Sequence, residues 1–338
     1  MSDEPRWWSF AELDAQRDAF DAIVEATPEV DTFCSSSDWI LPACAAFAPD
    51  ATPLVRLSRA GVLALAARRV EGGGGRWACP LEAVWGLASP LIGPDPAPLV
   101  AAALALLAGA VPPTTGRLVA LALCGLAEGG QAERALLAQA RRGFLAEPGP
   151  EMARIVASLE GGMDGFWSRR SAKFRANSRR ARRAAAAAGV VYEYVTGVTP
   201  EAPLAALWQR ILRIEARSRK AAIGGGLSVP EMRVFYERML PRLAARGALR
   251  VVFARRADED LAFVFGGIFG GVYRGLQVSL DDRFAEESPG VLVHLEMLEH
   301  LCAEGVAGYD LGTDMEYKRR WGEVGLVTRT WLVSRRRV

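Results

Sequence analysis

Apolar β-like segments occur in runs, without helices between them, in both halves of this 338-residue chain. Apolar periodicity in the first half predicts helices at 11–26, 37–47, 96–109 and 131–142 and strands at 53–58, 61–70, 77–87 and 117–125. In the second half it predicts helices at 163–188, 203–220, 230–246, 290–304 and 315–321 and strands at 152–159, 190–195, 249–255, 262–269, 272–280, 308–311 and 326–334. In a doubly wound fold each strand would be followed by a helix, so that architecture is excluded. The order predicts two domains, 1–150 and 151–338, each a mixed, mostly antiparallel α/β (α+β) sheet flanked by helices.

Composition excludes several other classes of protein. Lys and Arg number 41 against 39 Asp and Glu, so the surface as a whole is not built to bind nucleic acid. The five cysteines are an odd number with no CxxC pair, which indicates free thiols in a reducing cytoplasm and no zinc site. The longest apolar run, 99–111, is shorter than a membrane span, and the polar, acidic start is unlike a signal peptide.

The junction at 281–292 predicts a helix start that is able to bind an anion. Ser288 would cap the helix, Pro289 suits its first position, and Gly290 leaves the next amide uncovered. The amides of Gly290 and Val291 would bind a phosphate at the positive end of the helix, and Arg283 would add charge. The alternative is an ordinary capped helix that binds nothing.

The strand predicted at 272–280 precedes this junction. If the neighbouring strand diverges from it, the backbone amides and carbonyls of 272–280 are left unpaired. A ligand with amide groups can then form hydrogen bonds with them in place of the missing strand. Sequence alone does not show whether the two strands diverge.

The helix predicted at 163–188 concentrates positive charge. It carries eight basic residues against one acid, Asp164, although the whole chain has a formal charge of only +2. It predicts either a dock for a polyanion, such as coenzyme phosphates, an acidic carrier protein or tRNA, or a solvated helix face.

Two further stretches carry ionisable groups suited to catalysis. Glu215 falls on the apolar stripe of its helix, where it acts either as a general base or as an ion-pair partner of Arg219. In the stretch 309–322, Lys318 is suited to stabilising an oxyanion, and Asp310 and Asp314 are suited to accepting a proton from an amine. The alternative there is a charged turn anchored by a tryptophan. His294 is interpreted as a packed residue.

Several blocks resemble a known family. FWSRRSAKFRANSRRARRAAAAAG at 166–189, IEARSRKAAIGGGL at 214–227, FAEESPGVLVHLEML at 284–298 and GYDLGTDMEYKRRWG at 308–322 are similar to blocks of the CelD/BcsL-type acyltransferases of the GNAT superfamily. TFCSSSDWILPACAAF at 32–47 resembles the N-terminal block of that family. The overall plan is similar to that of the Fem-type aminoacyltransferases, which have two GNAT-like domains in tandem.

The resemblance implies tandem GNAT-like domains, the first of them degenerate, and an acyl donor lying between strands 272–280 and 308–311. It places the donor against Gln277, Val278 and Ser279 and its phosphates at Ser288, Pro289, Gly290 and Val291. The pair Tyr317–Lys318 resembles the aromatic–lysine pair of Fem-type enzymes, whose lysine lies near the acyl ester. The usual GNAT pyrophosphate signature has two glycines, whereas the corresponding segment here, EESPGV from Glu286, has one. An acyl carrier protein or an aminoacyl-tRNA therefore remains an alternative to coenzyme A as the acyl donor.

The sequence thus predicts a cytoplasmic N-acyltransferase with no permanently bound cofactor. Acyl-CoA or the phosphopantetheine of an acyl carrier protein would be the co-substrate, and the acceptor would be the amine of a peptide, an amino sugar or a small metabolite. The alternatives are an aminoacyl-tRNA-dependent peptide ligase of Fem type and a catalytically inactive module that binds an acyl carrier.

Overall fold

The structure, a computed structural model, describes residues 6–70, 72–198 and 203–336. The elements before residue 160 are β1 (Arg6–Trp8), α1 (Phe10–Ala15), α2 (Arg17–Ala26), α3 (Thr32–Ser35), α4 (Ser37–Phe47), β2 (Thr52–Ser58), β3 (Gly61–Arg69), β4 (Arg76–Pro80), β5 (Leu91–Ile92), α5 (Pro96–Leu107), β6 (Leu118–Ala127), α6 (Gln131–Ala140) and β7 (Phe144–Ser158). Those that follow are α7 (Gly162–Ser168), α8 (Ala172–Ala187), β8 (Val190–Val195), α9 (Leu204–Glu215), α10 (Arg219–Ala222), α11 (Pro230–Ala245), β9 (Leu249–Arg256), β10 (Glu259–Phe269), β11 (Val272–Leu280), α12 (Pro289–Ala303), β12 (Gly308–Thr313) and β13 (Glu323–Arg335). Three short 3-10 helices lie at Gly226–Ser228, Asp282–Glu287 and Glu316–Lys318.

The chain divides into two compact units. The first extends to Ala153 and takes in the chain again from Leu326, and the second is Arg154–Gly325. In the first unit the strands follow the order β1-β2-β3-β4-β6-β13, with β5 paired to β3. The β4–β6 pair is parallel and the others are antiparallel. Leucines of β3, β6 and α5 form its core.

The second unit has the order β7-β12-β11-β10-β9-β8, in which only the β11–β12 pair is parallel. Side chains alternate across the sheet as the pleat requires. Ala262 and Val264 of β10 belong to the core that includes α12, whereas Phe265 contacts Trp208 of α9 and Tyr236 of α11. Helices therefore cover both faces of β10, and β11 lies between β10 and β12.

Several segments differ from the sequence prediction. The helix predicted at 11–26 is divided into α1 and α2, and the one predicted at 315–321 is only the 3-10 turn Glu316–Lys318. The helix predicted at 163–188 is broken into α7 and α8, because the Ser171 hydroxyl accepts a hydrogen bond from the Phe174 amide (3.2 Å) and starts a new helix. The strand predicted at 77–87 ends at Pro80, because the Glu82 carboxylate accepts hydrogen bonds from the backbone amides of Trp85 and Leu87.

The helix predicted at 203–220 ends at Glu215, since Ser218 caps the separate turn α10. The segment EPGP at 147–150 lies inside β7, although proline is unusual in a strand. Both of its prolines are exposed, where a missing amide hydrogen is tolerated in a strand.

Candidate active site

Strands β11 and β12 pair over only three residues and then diverge. Val272, Tyr273 and Arg274 lie opposite Gly308, Tyr309 and Asp310, and no register follows. On its other side β11 stays paired to β10 as far as Leu280, with a bulge at Leu276. The edge of β11 from Gly275 onward therefore has no partner strand within the part of the chain that the structure describes. This is the divergence on which the predicted donor site depends.

Asp310 stands at the point of divergence. Its Oδ2 is paired with the buried Arg274 guanidinium and its Oδ1 accepts the Gly312 amide (2.7 Å). Gly275 is needed beside it, because a Cβ there would meet the Tyr309 ring at 2.7 Å. Asp310 thus holds two strands and a turn together, and its carboxylate is already occupied by these partners.

Two neighbouring cavities lie along the diverging edge. The helix-end cavity, about 440 Å³, is bordered by α10, the end of β11, the turn 282–288 and the start of α12. The splay cavity, about 320 Å³, is bordered by 275–278 of β11, by β12 and by 315–318. Both volumes are typical of small-molecule sites. The two cavities share Lys220, Val278, His294, Tyr317 and Trp321.

The start of α12 borders the helix-end cavity in a form other than the one predicted. Ser288 adopts a left-handed conformation (φ +55°), its side chain caps nothing, and its carbonyl accepts the Val291 amide (3.0 Å). The expectation that the Ser288 hydroxyl caps the helix is therefore wrong. Pro289 does take the first helical position, and Gly290 and Val291 line the cavity.

A buried hydroxyl faces the same space. Ser279 lines the helix-end cavity, and its Oγ is buried without a hydrogen-bond partner. Arg219 and Arg320 also line this cavity. Arg283, in contrast, is not among the lining residues, because its guanidinium is bound to Asp281 (2.8 Å) and Glu259 (3.3 Å). Positive charge around this cavity comes from Arg219, Lys220 and Arg320, none of which sequence reasoning assigned to the anion site.

Lys318 lines the splay cavity. Its Nζ donates to the Thr313 carbonyl oxygen (3.0 Å), and the lysine belongs to the short turn at Glu316–Lys318 that follows β12. Partial burial, reinforced by the nearby Arg274 cation, lowers the pKa of Lys318 to about 8. The ammonium is therefore the form present at neutral pH, and it is poorly hydrated.

His294 borders both cavities and was interpreted from sequence as a packed residue. Its Nδ1 is hydrogen-bonded to the Tyr309 hydroxyl (2.7 Å), and its ring lies 5.3 Å from that of Trp321. Desolvation, together with the charges of Lys318 and Arg320, lowers its pKa to about 4. The imidazole is therefore neutral at physiological pH.

Glu215 is buried, as predicted, but its partner is Lys220 and not Arg219. The Leu227 amide donates to Glu215 Oε1 (3.0 Å), and Lys220 Nζ lies 3.7 Å from Oε2. The i,i+4 pair fails because the helix ends at Glu215. Gly226 is also required here, since a Cβ would lie 2.0 Å from Glu215 Oε1.

Lys220 is the functional candidate that sequence reasoning missed. Its Nζ donates to the Val278 carbonyl (2.7 Å) and to Gln277 Oε1 (3.0 Å), both on the unpaired part of β11. Gln277 in turn donates to the Tyr236 hydroxyl (3.2 Å). Desolvation lowers the pKa of Lys220 although Glu215 is close. The signal that could have found it is its place in the block 214–227, which resembles the family.

Asp314 does not line either cavity. Its carboxylate forms a two-pronged ion pair with Arg319 (2.6 and 2.9 Å), which lowers the pKa of Asp314. The three predicted proton acceptors, Glu215, Asp310 and Asp314, therefore all lie against a cation.

The basic segment separates into two groups of side chains. Arg169, Arg170, Arg175 and Arg182 bond to backbone carbonyls or to carboxylates within the second unit. Lys173, Arg179, Arg180 and Arg183 of α8 are exposed, and none has an ion pair with another described residue. These four are the side chains of α8 best placed to meet an external anion.

Within the described ranges, no group of His, Cys, Asp or Glu is arranged to hold a metal ion. The five cysteines are free thiols, and all but Cys302 are buried. None of the helices in 6–70, 72–198 or 203–336 combines the length and the apolar character that a membrane span needs.

One sequence-family model matches most of the second unit. Residues 172–319 match the sequence model of the acetyltransferase (GNAT) domain, which supports an acyltransferase. No curated protein matches the sequence significantly. The matched span contains both cavities, apart from Arg320 and Trp321.

Solved structures resemble the whole chain at low sequence identity. A conserved protein of unknown function from Bacteroides thetaiotaomicron VPI-5482 aligns with TM-score 0.66 at 12% identity, over 99% of this chain and 100% of its own. FemX aligns with TM-score 0.63 at 12% identity, over 96% of each chain. The C-terminal domain of a protein assigned as a lysylphosphatidylglycerol synthetase from Agrobacterium fabrum aligns with TM-score 0.57 at 14% identity, over 96% of this chain and 92% of its own. Such likeness concerns the fold alone, and the predicted fold class, a mixed, mostly antiparallel α/β sheet flanked by helices, is confirmed.

Proposed function

We propose that the protein is a cytoplasmic N-acyltransferase of the CelD/BcsL type that moves an acyl group from a thioester to a primary amine by direct attack. The observation that carries this proposal is the divergence of β11 from β12 beside the helix-end and splay cavities, inside the span that matches the GNAT domain.

The donor is acyl-CoA or an acyl carrier protein, whose pantetheine arm lies along Gln277, Val278 and Ser279. Arm amides bond to the free edge of β11, where Lys220 now donates to the Val278 carbonyl. The anionic end lies against Gly290 and Val291 at the start of α12, a position suited to phosphate.

In the reaction a bond forms between the amine nitrogen and the acyl carbon, the carbon–sulfur bond breaks, and the amine proton ends on the thiol. The Lys318 ammonium stabilises the oxyanion of the tetrahedral intermediate, and its poor hydration strengthens this interaction. Asp310 keeps Arg274 in place behind it.

Glu215 and Asp314 remain the proposed proton acceptors. Both are carboxylates held against a cation, and Glu215 is the one connected, through Lys220, to the cavity walls. His294 is neutral near pH 7, since burial lowers its pKa to about 4, and it stays hydrogen-bonded to the Tyr309 hydroxyl.

The test is release of free thiol from acyl-CoAs of increasing length, and from acylated carrier protein, in the presence of a panel of peptide, amino-sugar and small-molecule amines. Gly290→Glu places bulk and negative charge at the phosphate position and should raise the donor KM at least tenfold. Ala303→Glu is the matched control, since it adds the same charge at the exposed far end of α12.

The proposal fails if the folded protein transfers no acyl group from any thioester, or if both variants have the KM of the wild type. A ligand that is retained without turnover would instead indicate an inactive binding module.

The exposed basic residues of α8 favour one second candidate, an aminoacyl-tRNA-dependent peptide ligase. Replacing Lys173, Arg179, Arg180 and Arg183 by glutamine should then flatten the dependence of tRNA binding on salt, because fewer counterions are released. Transfer from aminoacyl-tRNA with none from thioesters would establish this candidate.

A further inference from the structure

A third cavity, in the first unit, is surrounded by arginines. We call it the arginine cavity. It has a volume of about 590 Å³ and is lined by Arg68 and Arg69 at the end of β3, by Arg76 at the start of β4, and by the segment 47–51. Of the residues that the structure describes, Asp50 is the only acidic one that lines it, and Asp50 is exposed.

The β3–β4 pairing forces these positive charges together. Arg69 lies directly opposite Arg76 in the antiparallel register, an arrangement that repulsion makes unfavourable without a counter-ion. Arg76 donates only to a neutral acceptor, the Thr52 hydroxyl (2.7 Å). Among the described residues, no carboxylate forms an ion pair with any of the three arginines.

Arg68 is the most informative of the three. Its Nε and Nη2 are buried and have no hydrogen-bond partner. Two thiols, those of Cys44 and Cys79, lie near it. Burial raises the pKa of both thiols to about 11, and the positive charge of Arg68 acts to lower both pKa values. A guanidinium is rarely left in apolar surroundings with unpaired donors, because nothing replaces the water that it has lost.

We propose that the arginine cavity binds a small oxyanion, either a phosphate monoester or a carboxylate. The fork of Nε and Nη2 on Arg68 matches two oxygens of such a group, and Arg69 and Arg76, which line the same cavity, add positive charge. An anion would also remove the repulsion between Arg69 and Arg76. The proposal concerns the first unit alone and does not depend on the acyl-transfer assignment.

The test uses the full-length protein with potassium phosphate, phenyl phosphate or sodium succinate as probes at constant ionic strength. Phosphate should raise the Tm of the wild type with a saturable concentration dependence, and Arg68→Met should raise the Kd measured by calorimetry at least tenfold. Arg142→Met removes an exposed arginine elsewhere in the same unit and should leave the Kd unchanged. The stronger of the phosphate and succinate responses identifies the class of ligand.

Two further measurements separate binding from structure. Without anion, Arg68→Met should melt at or above the Tm of the wild type, because it removes an unpaired buried cation. Repeating the titration in Gly290→Glu separates this cavity from the helix-end cavity, and the Arg68-dependent binding should persist there. The proposal is overturned if Arg68→Met melts lower by the same amount with and without anion, if no probe binds, or if Gly290→Glu alone abolishes binding.

Discussion

Replacing Lys318 by methionine should lower activity and raise stability at the same time. Methionine keeps the length of the side chain and removes its charge. The pKa of Lys318 falls from 10.5 to about 8, mainly because the ammonium is partly desolvated, so the charged form is disfavoured in the folded protein. One pKa unit corresponds to about 1.4 kcal/mol, which sets an upper limit of roughly 3 kcal/mol. Solvent screening of this half-buried group reduces the expected gain to about 1–2 kcal/mol.

The pH dependence gives the sign of the effect. A lysine with a lowered pKa destabilises the fold fully below the folded pKa of about 8, and this cost disappears as pH rises toward the ordinary value of 10.5. The stability advantage of Lys318→Met should therefore be present at pH 7 and fall to less than half by about pH 9.5. Turnover with a thioester donor should drop by about 10²–10³, as when one oxyanion donor is lost.

Urea unfolding at the two pH values, together with a thiol-release assay, checks both parts of this prediction. Lys173→Met serves as control, because Lys173 is exposed on α8 and should affect neither turnover nor stability. A variant that is less stable than the wild type at pH 7, or whose stability gain does not change with pH, would refute the desolvation argument. Undiminished turnover would remove Lys318 from the reaction.

Three other predictions concern stability and thiol reactivity. Asp310→Asn removes the carboxylate charge that is paired with the buried Arg274 and should lower the free energy of unfolding by about 3–5 kcal/mol; a loss below about 1 kcal/mol in urea titration would contradict this. Gly275→Ala brings a Cβ within 2.7 Å of the Tyr309 ring and should lower the free energy of unfolding by about 1–3 kcal/mol. Gly197→Ala, which has open space around it, should change the free energy of unfolding little. Equal urea midpoints for the two variants would argue against crowding at Gly275. Burial raises the pKa of the Cys124 thiol to about 12 and those of the Cys44 and Cys79 thiols to about 11. An aromatic disulfide reagent at pH 8 should therefore react slowly with the native protein and rapidly once urea is added. Rapid reaction of most thiols in the native protein would contradict their burial.

Local patterns predicted the regular elements well and the interruptions poorly. The strands Val190–Val195 and Val272–Leu280 agree with prediction at both ends, because apolar alternation and flanking glycine or proline residues mark them. The break between α7 and α8 was missed because a single capping serine, Ser171, interrupts an otherwise continuous helical pattern. Such a cap is decided by one hydrogen bond, which periodicity does not reveal.

The candidate site could be predicted where it depends on neighbours in the chain. Gly290 and Lys318 were found because they belong to recognisable local blocks. Lys220 was missed because its role comes from a long-range contact with a glutamine 57 positions away. Arg283 was misplaced for a related reason, since its carboxylate partners include Glu259 on another strand.

The return of β13 to the first unit has a practical consequence for anyone dividing this polypeptide. Residues Thr328–Ser334 pair with β6, and Trp331 donates to the buried carboxylate of Glu133. A fragment cut at residue 150 would lack that strand, exposing the edge of β6 to self-association and leaving Glu133 without the indole. Fusing residues 326–336 behind such a fragment through a glycine-serine tether would restore the missing pairing.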